Sequence, residues 1–237
     1  MISGETIKKL KENCKQISEL LVENEKLIRS EGLSPPTDNY SLNKDEKINF
    51  PSSYIRTNDA FQNKYHLREI VPNKVRRKNI AYSLQLSDFY NFLINRFYVW
   101  GSVETMLLKS AIINIVSIIE ALTFECVNNI CTCPDVCGKT SECDYHFNNR
   151  QRNRCAFEAI KKLNGLGITD FKPDELNRIH DIIEYRNHVH IRIAKENEFL
   201  NSDFSISTYN ELVAFLKRID NYIYSNGVPL YNYCKSD

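Results

Sequence analysis

The stretch from Ser102 to about Ile130 most limits what this chain can fold into. It carries Leu107, Leu108, Ala111, Ile112, Ile115, Val116, Ile118, Ile119, Leu122 and Phe124. On a helix of 3.6 residues per turn these leave almost no wholly polar side. Lys109, Asn114, Ser117, Glu120 and Glu125 interrupt the stretch, which makes it too polar for a membrane span. A helix apolar nearly all round must be enclosed by other elements. The spacing therefore predicts a central helix over 103–130, capped by Ser102 with Glu104 and Thr105 in its first turn.

The rest of the chain reads as partners for that helix. Gly and Pro number seven each in 237 residues, few for a turn-rich β fold, and strand patterns are hard to find. A long helix is predicted over 4–30, where Ile7, Leu10, Cys14, Ile17, Leu21, Asn24 and Ile28 alternate spacings of three and four. That is a heptad-like seam, widened by Leu20 and Leu27, able to pack on the main body or on a second copy. Cys14 in the seam is expected to be buried. Residues 31–57 are punctuated by Gly32, Pro35, Pro36, Asn39, Asn43 and Pro51 and read as a connector. The helical body is expected from 58 to 237, with 1–57 as an N-terminal helix and connector.

Within the body, Arg76-Arg77-Lys78 leads into Ile80–Trp100. The aromatic residues there (Tyr82, Phe89, Tyr90, Phe92, Phe97, Tyr98, Trp100) are expected in the core. Three more helices are predicted: 151–164, ended by Gly165 and Gly167; 173–197, with Pro173 in the first position and Asp174-Glu175 behind it; and 207–225, capped by Ser207 or Thr208.

The formal net charge of +1 points to no global attraction for nucleic acid, so an RNA or DNA site would need a local basic patch. Arg150, Arg152, Arg154, Lys161 and Lys162 form the most basic run, either a phosphate-tracking surface or a solvated face. The first residues lead into a charged helix with no apolar signal core, so a cytoplasmic location without membrane association is expected. In that setting the eight cysteines point to thiols or metal ligands rather than disulfides. Cys131, Cys133, Cys137, Cys143 and His146 fall within sixteen residues, with Pro134 and Gly138 supplying turns, in an insert at about 131–150. Short spacings of this kind let a chain fold around zinc, which takes four such ligands tetrahedrally. A structural zinc site with four ligands drawn from these five is expected. Reduced, unligated thiols are the alternative.

Glu184-Tyr185-Arg186-Asn187-His188-Val189-His190-Ile191 concentrates polar chemistry. On a helix, Arg186 and His190 are about 40° apart, Asn187 is about 60° from His190, and His188 is roughly 160° from Arg186. A permanent cation beside a group titrating near neutrality suits phosphate chemistry. A structural ion pair for Arg186 and a hydrogen-bonded core position for His190 are the plainer alternatives. His180 is a weaker second candidate.

Three features together resemble the HEPN superfamily, the higher eukaryotes and prokaryotes nucleotide-binding domains. They are the apolar helix from Leu108 to Leu122 with its acidic Glu120, the Tyr185–Ile191 segment with its Arg-Asn pair, and a final helix at about 207–225. The resemblance covers roughly 80–225 and implies an HEPN-like four-helix bundle that dimerises, bringing two Arg/His motifs into one cleft. It implies a metal-independent endoribonuclease of toxin or phage-defence type, with an antitoxin or defence partner. Arg186 would stabilise phosphoryl charge, His190 move a proton, Asn187 orient the phosphate or the imidazole, and Glu120 position Arg186. The usual family motif places four to six residues between Arg and His. Here three intervene before His190, and Ile191 stands where the commoner spacing puts the histidine. A non-catalytic HEPN-like module binding a protein partner or nucleotide is therefore the second expectation.

Overall fold

The computed structural model describes residues 2–35, 42–64, 67–131, 156–187 and 204–225. Among them all regular structure is helical, as expected. The chain divides into two compact units, Met1–Pro51 and Ser52–Asp237.

The first unit is built on α1 (Gly4–Ser30). Ser3 caps it, its hydroxyl accepting from the Thr6 N–H at 3.2 Å, and Glu5 and Arg29 complement the dipole at the two ends. Gly32 ends the turn that follows with φ 75°, a left-handed conformation that suits glycine. α1 buries no residue, and Cys14 is half-exposed rather than buried.

In the second unit a short 3₁₀ turn (Ser52–Tyr54) precedes α2 (Asn58–Lys64), α3 (Leu67–Ile70) and α4 (Lys74–Arg96). The Arg76-Arg77-Lys78 run lies inside α4, which begins earlier than its apolar pattern suggests. Asn73 caps it, its side chain accepting from the Val75 and Arg76 N–H groups at 3.0 Å. Arg56, just before α2, ties that segment to the body of α4: its Nη2 lies 2.6 Å from Asp88 Oδ1 and its guanidinium lies 4.4 Å over the Phe61 ring.

α5 (Ser102–Cys131) is the central helix. α3, α4, α6 (Ala156–Gly165), α7 (Pro173–Asn187) and α8 (Ile206–Ser225) all pack on it. Its Ile112, Ile115, Val116, Ile118, Ile119 and Leu122 are almost completely buried. Contrary to the expectation that its polar residues make it too polar for a membrane span, the Ser102–Asn129 stretch is long and apolar enough for one by length and composition; over half of its most apolar window is buried inside the protein, as befits a core helix. Polar ties fix its neighbours: the Asn114 amide donates to the Ser83 carbonyl and to the Ser87 hydroxyl, each at 2.8 Å, and the Asn129 amide donates to the Ile70 carbonyl at 2.7 Å.

The aromatic run of α4 departs from expectation. Phe89, Tyr90 and Phe92 are half-buried, whereas Tyr82, Phe97, Tyr98 and Trp100 are exposed, Tyr98 and Trp100 to 89% and 72%. Phe97 to Trp100 follow the end of α4, where the chain turns through Gly101 (φ 58°) into α5, and a connection between two packed helices runs over the surface.

α6 ends in a turn where Gly167 adopts φ 71° and the Ile168 N–H donates to the Leu163 carbonyl at 3.0 Å. The Asn164 side chain then holds the connection, accepting from the Phe171 N–H at 2.8 Å and from the Thr169 hydroxyl at 3.1 Å. α7 begins at Pro173 as predicted, and Glu175 accepts from the Lys172 N–H at 3.0 Å. Residues 188–197 of the predicted 173–197 helix lie outside the described residues. α8 begins at Ile206, and its cap is Ser205, whose hydroxyl accepts from the Thr208 N–H at 3.2 Å. The expected caps, Ser207 and Thr208, are helical residues instead. Phe204 before the cap and Tyr209 four positions after it are both buried, the placement of a hydrophobic staple.

Candidate functional site

Arg186 and Asn187 fall in the last turn of α7, the helical setting expected for them. His188 and His190 lie outside the described residues, as do Cys133, Cys137, Cys143, His146, Arg150, Arg152 and Arg154. Cys131 is the last residue of α5. Glu120 is half-buried on α5, next to Ile119. The helices that carry Glu120 and Arg186 pack directly on one another. An apolar seam lies between them: Val116 and Ile119 of α5 meet Ile179 and Ile183 of α7 and Leu212, Phe215 and Ile219 of α8 around one small cavity.

α7 and α8 run antiparallel. Phe171 meets Tyr222 edge-on with ring centres 5.7 Å apart, Glu175 takes the Arg218 guanidinium at 2.5 Å, and Arg178 donates to Glu211 at 3.1 Å. The C-terminal end of α7 therefore lies at the same end of the bundle as the start of α8. Lys109 of α5 stands at that end, buried, with its ammonium 5.5 Å from the Phe204 ring centre. The sequence shows Lys109 only as a polar break in an apolar helix. Its place near the end of α7 depends on Phe204, far away in the chain. Glu120 sits nearer the middle of α5.

The charged groups between α7 and α8 serve the fold. Arg218 also lies 3.5 Å from Asp170, and its guanidinium covers the Phe171 ring at 4.6 Å. The hydrogen bond from Arg218, helped by the Lys172 N–H, holds the Glu175 carboxyl below the usual range. Asp174, Glu175, Arg178, Glu211 and Arg218 line an open groove there, and paired charges of both signs suit a helix clamp better than an anion site. His180 is occupied in packing: its ring meets Phe157 edge-on at 4.5 Å, and its Nδ1 is 3.8 Å from Asp181. Lys161 lies 3.5 Å from Glu158 and 5.2 Å over the Phe157 ring, so this member of the basic run is a paired surface cation.

Among the described residues no group of three or more histidine, cysteine and acidic side chains could hold a metal. Cys126 is fully buried. Burial, reinforced by neighbouring Glu125, pushes its thiol up to about 12, which makes it a poor nucleophile and a poor metal ligand. Glu125 is itself buried and receives a hydrogen bond from Arg76. Burial raises its carboxyl above the usual range, and the Arg76 charge opposes that rise.

No family model, curated protein or solved structure matches this chain.

Proposed function

We propose that the bundle is an HEPN-like, metal-independent endoribonuclease acting on RNA phosphodiesters from the C-terminal end of α7. The observation that carries this reading is the placement of Arg186 and Asn187 in the last turn of a helix packed on the apolar central helix that bears Glu120. The 2′-hydroxyl of RNA attacks the neighbouring phosphorus, the bond from phosphorus to the 5′ oxygen breaks, and a 2′,3′-cyclic phosphate and a free 5′-hydroxyl result. The substrate supplies its own nucleophile. Arg186 stabilises the charge growing on the phosphoryl oxygens, and His190 passes a proton to or from the reacting oxygens. Asn187 orients phosphate or imidazole, Glu120 holds Arg186 in place, and buried Lys109 adds a cation near that end of the bundle. Two copies bring two motifs into one cleft. Action as a toxin or antiviral defence effector in the cytoplasm, restrained by an antitoxin or defence partner, accords with such chemistry.

The cysteine insert leaves α5 at Cys131 and rejoins the fold before α6 at Ala156, and α5 and α6 pack together. A segment joined to packed helices on both sides and carrying four thiols and an imidazole suits a four-coordinate, closed zinc site. Cys131, Cys133, Cys137, Cys143 and His146 are the candidate ligands. Zinc there stabilises the loop and takes no part in RNA cleavage.

The test is incubation of the full chain with total RNA, with chelator and in zinc-replete buffer, beside Arg186→Ala and His190→Ala. Cleavage by the wild type that survives chelation and is lost in both variants is the expected result. An absence of cleavage on varied RNAs in zinc-replete buffer overturns it. The three-residue spacing from Arg186 to His190 favours the second reading in that case, a non-catalytic module that binds a protein partner or nucleotide.

A further inference from the structure

We propose that α1 pairs in antiparallel register with α1 of a second copy of this chain. The pairing is independent of the nuclease reading and uses none of its residues.

The seam is available. Ile17, Leu20, Leu21 and Leu27 are between 44% and 59% exposed, and no residue of α1 is buried. Ile7, Cys14, Leu21 and Ile28 take the a positions of a heptad and Leu10, Ile17 and Asn24 the d positions. A two-stranded seam sets the a and d side chains of one helix against those of the other within their overlap. In the antiparallel register that sets Ile17 against Leu21 of the second copy, Leu10 meets Ile28 and Cys14 meets Asn24. Apolar residues then meet apolar ones, and the only amide in the seam shares a layer with the small thiol. This register leaves Ile7 at the frayed end, opposite Glu31 beyond the helix; sliding one helix by a heptad leaves Ile28 opposite Ser3 instead and sets the Asn24 amide against the apolar Ile7. The best register overlaps residues 8–30, about 35 Å of helix.

Charge selects the same arrangement. The first half of α1 carries Lys8, Lys9, Lys11 and Lys15 against Glu5 and Glu12; the second carries Glu19, Glu23 and Glu25 against Lys26 and Arg29. Antiparallel pairing lays the cationic half of each helix on the anionic half of the other. In particular it faces Lys11 with Glu25 of the second copy, both at e positions, and two-fold symmetry repeats the pair. Glu25 already holds Arg29 at 2.8 Å within its own helix, and its carboxylate has capacity for a second donor. A parallel pair faces Lys11 with Thr6 and Glu25 with Leu20 and gains no charge pair. Such exposed pairs choose orientation, while the seam supplies the association.

Sedimentation velocity of the full chain at micromolar concentration tests the pairing. A dimer is expected. Ile17→Glu combined with Leu21→Glu abolishes the α1 contact, and the helix content of the body is retained because α1 buries nothing. Lys11→Glu or Glu25→Lys alone weakens self-association about three- to tenfold, and the two together restore it. Under mild oxidation Asn24→Cys gives a dimer linked from Cys14 to position 24. A monomeric wild type overturns the proposal. So does an association indifferent to all α1 substitutions, which assigns it to another surface, or a Cys14–Cys14 link in the wild type, which makes the pair parallel.

Discussion

Glu125 and Cys126 show how adjacent residues in one buried stretch differ in what they can do. The Glu125 carboxyl is raised by burial, so between the usual carboxylate range and its raised value the folded state binds more protons than the unfolded one. Stability therefore falls as pH rises through that window and recovers on mild acidification. Glu125→Gln keeps a hydrogen-bond acceptor for Arg76 and removes the buried charge. We expect the variant to be at least as stable as the wild type at neutral pH, with a flatter melting temperature between neutral and weakly acid pH. A steeper profile would contradict the assigned direction. Arg76→Ala removes the partner and leaves the carboxylate desolvated. It should cost about 1–3 kcal/mol in denaturant unfolding at neutral pH. Cys126, pushed up to about 12 and fully buried, should resist alkylation in the folded protein and react only on unfolding, whereas half-exposed Cys14 should react at once. Mass mapping after a short iodoacetamide pulse separates the two.

At the scale of elements, the start of α8 offers the sharpest test. Ser205 is the residue whose hydroxyl satisfies the Thr208 N–H, so Ser205→Ala should cost about 1 kcal/mol and exposed Ser207→Ala only a few tenths. The reverse order in urea titration would put the cap back where the hydroxyl pattern alone placed it. Three neighbouring hydroxyls look alike in sequence. The choice was made by Phe204 and Tyr209, whose burial one turn apart fixes the entry of the chain, and a staple pattern was the available signal. The long helices were legible for the same kind of reason. α1 is bounded by Ser3 and Gly32, α5 by an unbroken apolar pattern, and α7 opens on Pro173 with an acidic first turn. Less legible was which aromatic residues of α4 face inward. An aromatic-rich helix advertises burial, but only the contact with α5 decides the face, and Phe97 to Trp100 fall on the connection instead. Of the candidate site, the placing of Arg186 and Asn187 on a helix was legible from periodicity. Lys109 was not, because only the packing of Phe204 against α5 gives it a place near the end of α7.

For the whole molecule, the question is how far the cysteine insert and the bundle depend on each other. The core around α5 is assembled from α3, α4, α6, α7 and α8, and the stretch between Cys131 and Ala156 supplies none of those elements. Metal-dependent folding should therefore be confined to the insert if zinc is its organiser. Purified full-length protein should carry close to one zinc per chain. A chelator that removes it should raise protease cleavage between residues 132 and 155 about tenfold or more, with little change in helical circular dichroism. Because a tetrahedral site needs four of the five donors, single substitutions, serine at each of Cys131, Cys133, Cys137 and Cys143 and alanine at His146, should separate the set: four of the five variants lose zinc and one keeps it. Metal well below one equivalent, or five variants that all retain it, would return these residues to unligated thiols and an ordinary histidine. Loss of helical signal on chelation would show instead that α5 and α6 need the insert to hold their packing, and would make metal supply a condition for the whole bundle rather than for the insert alone.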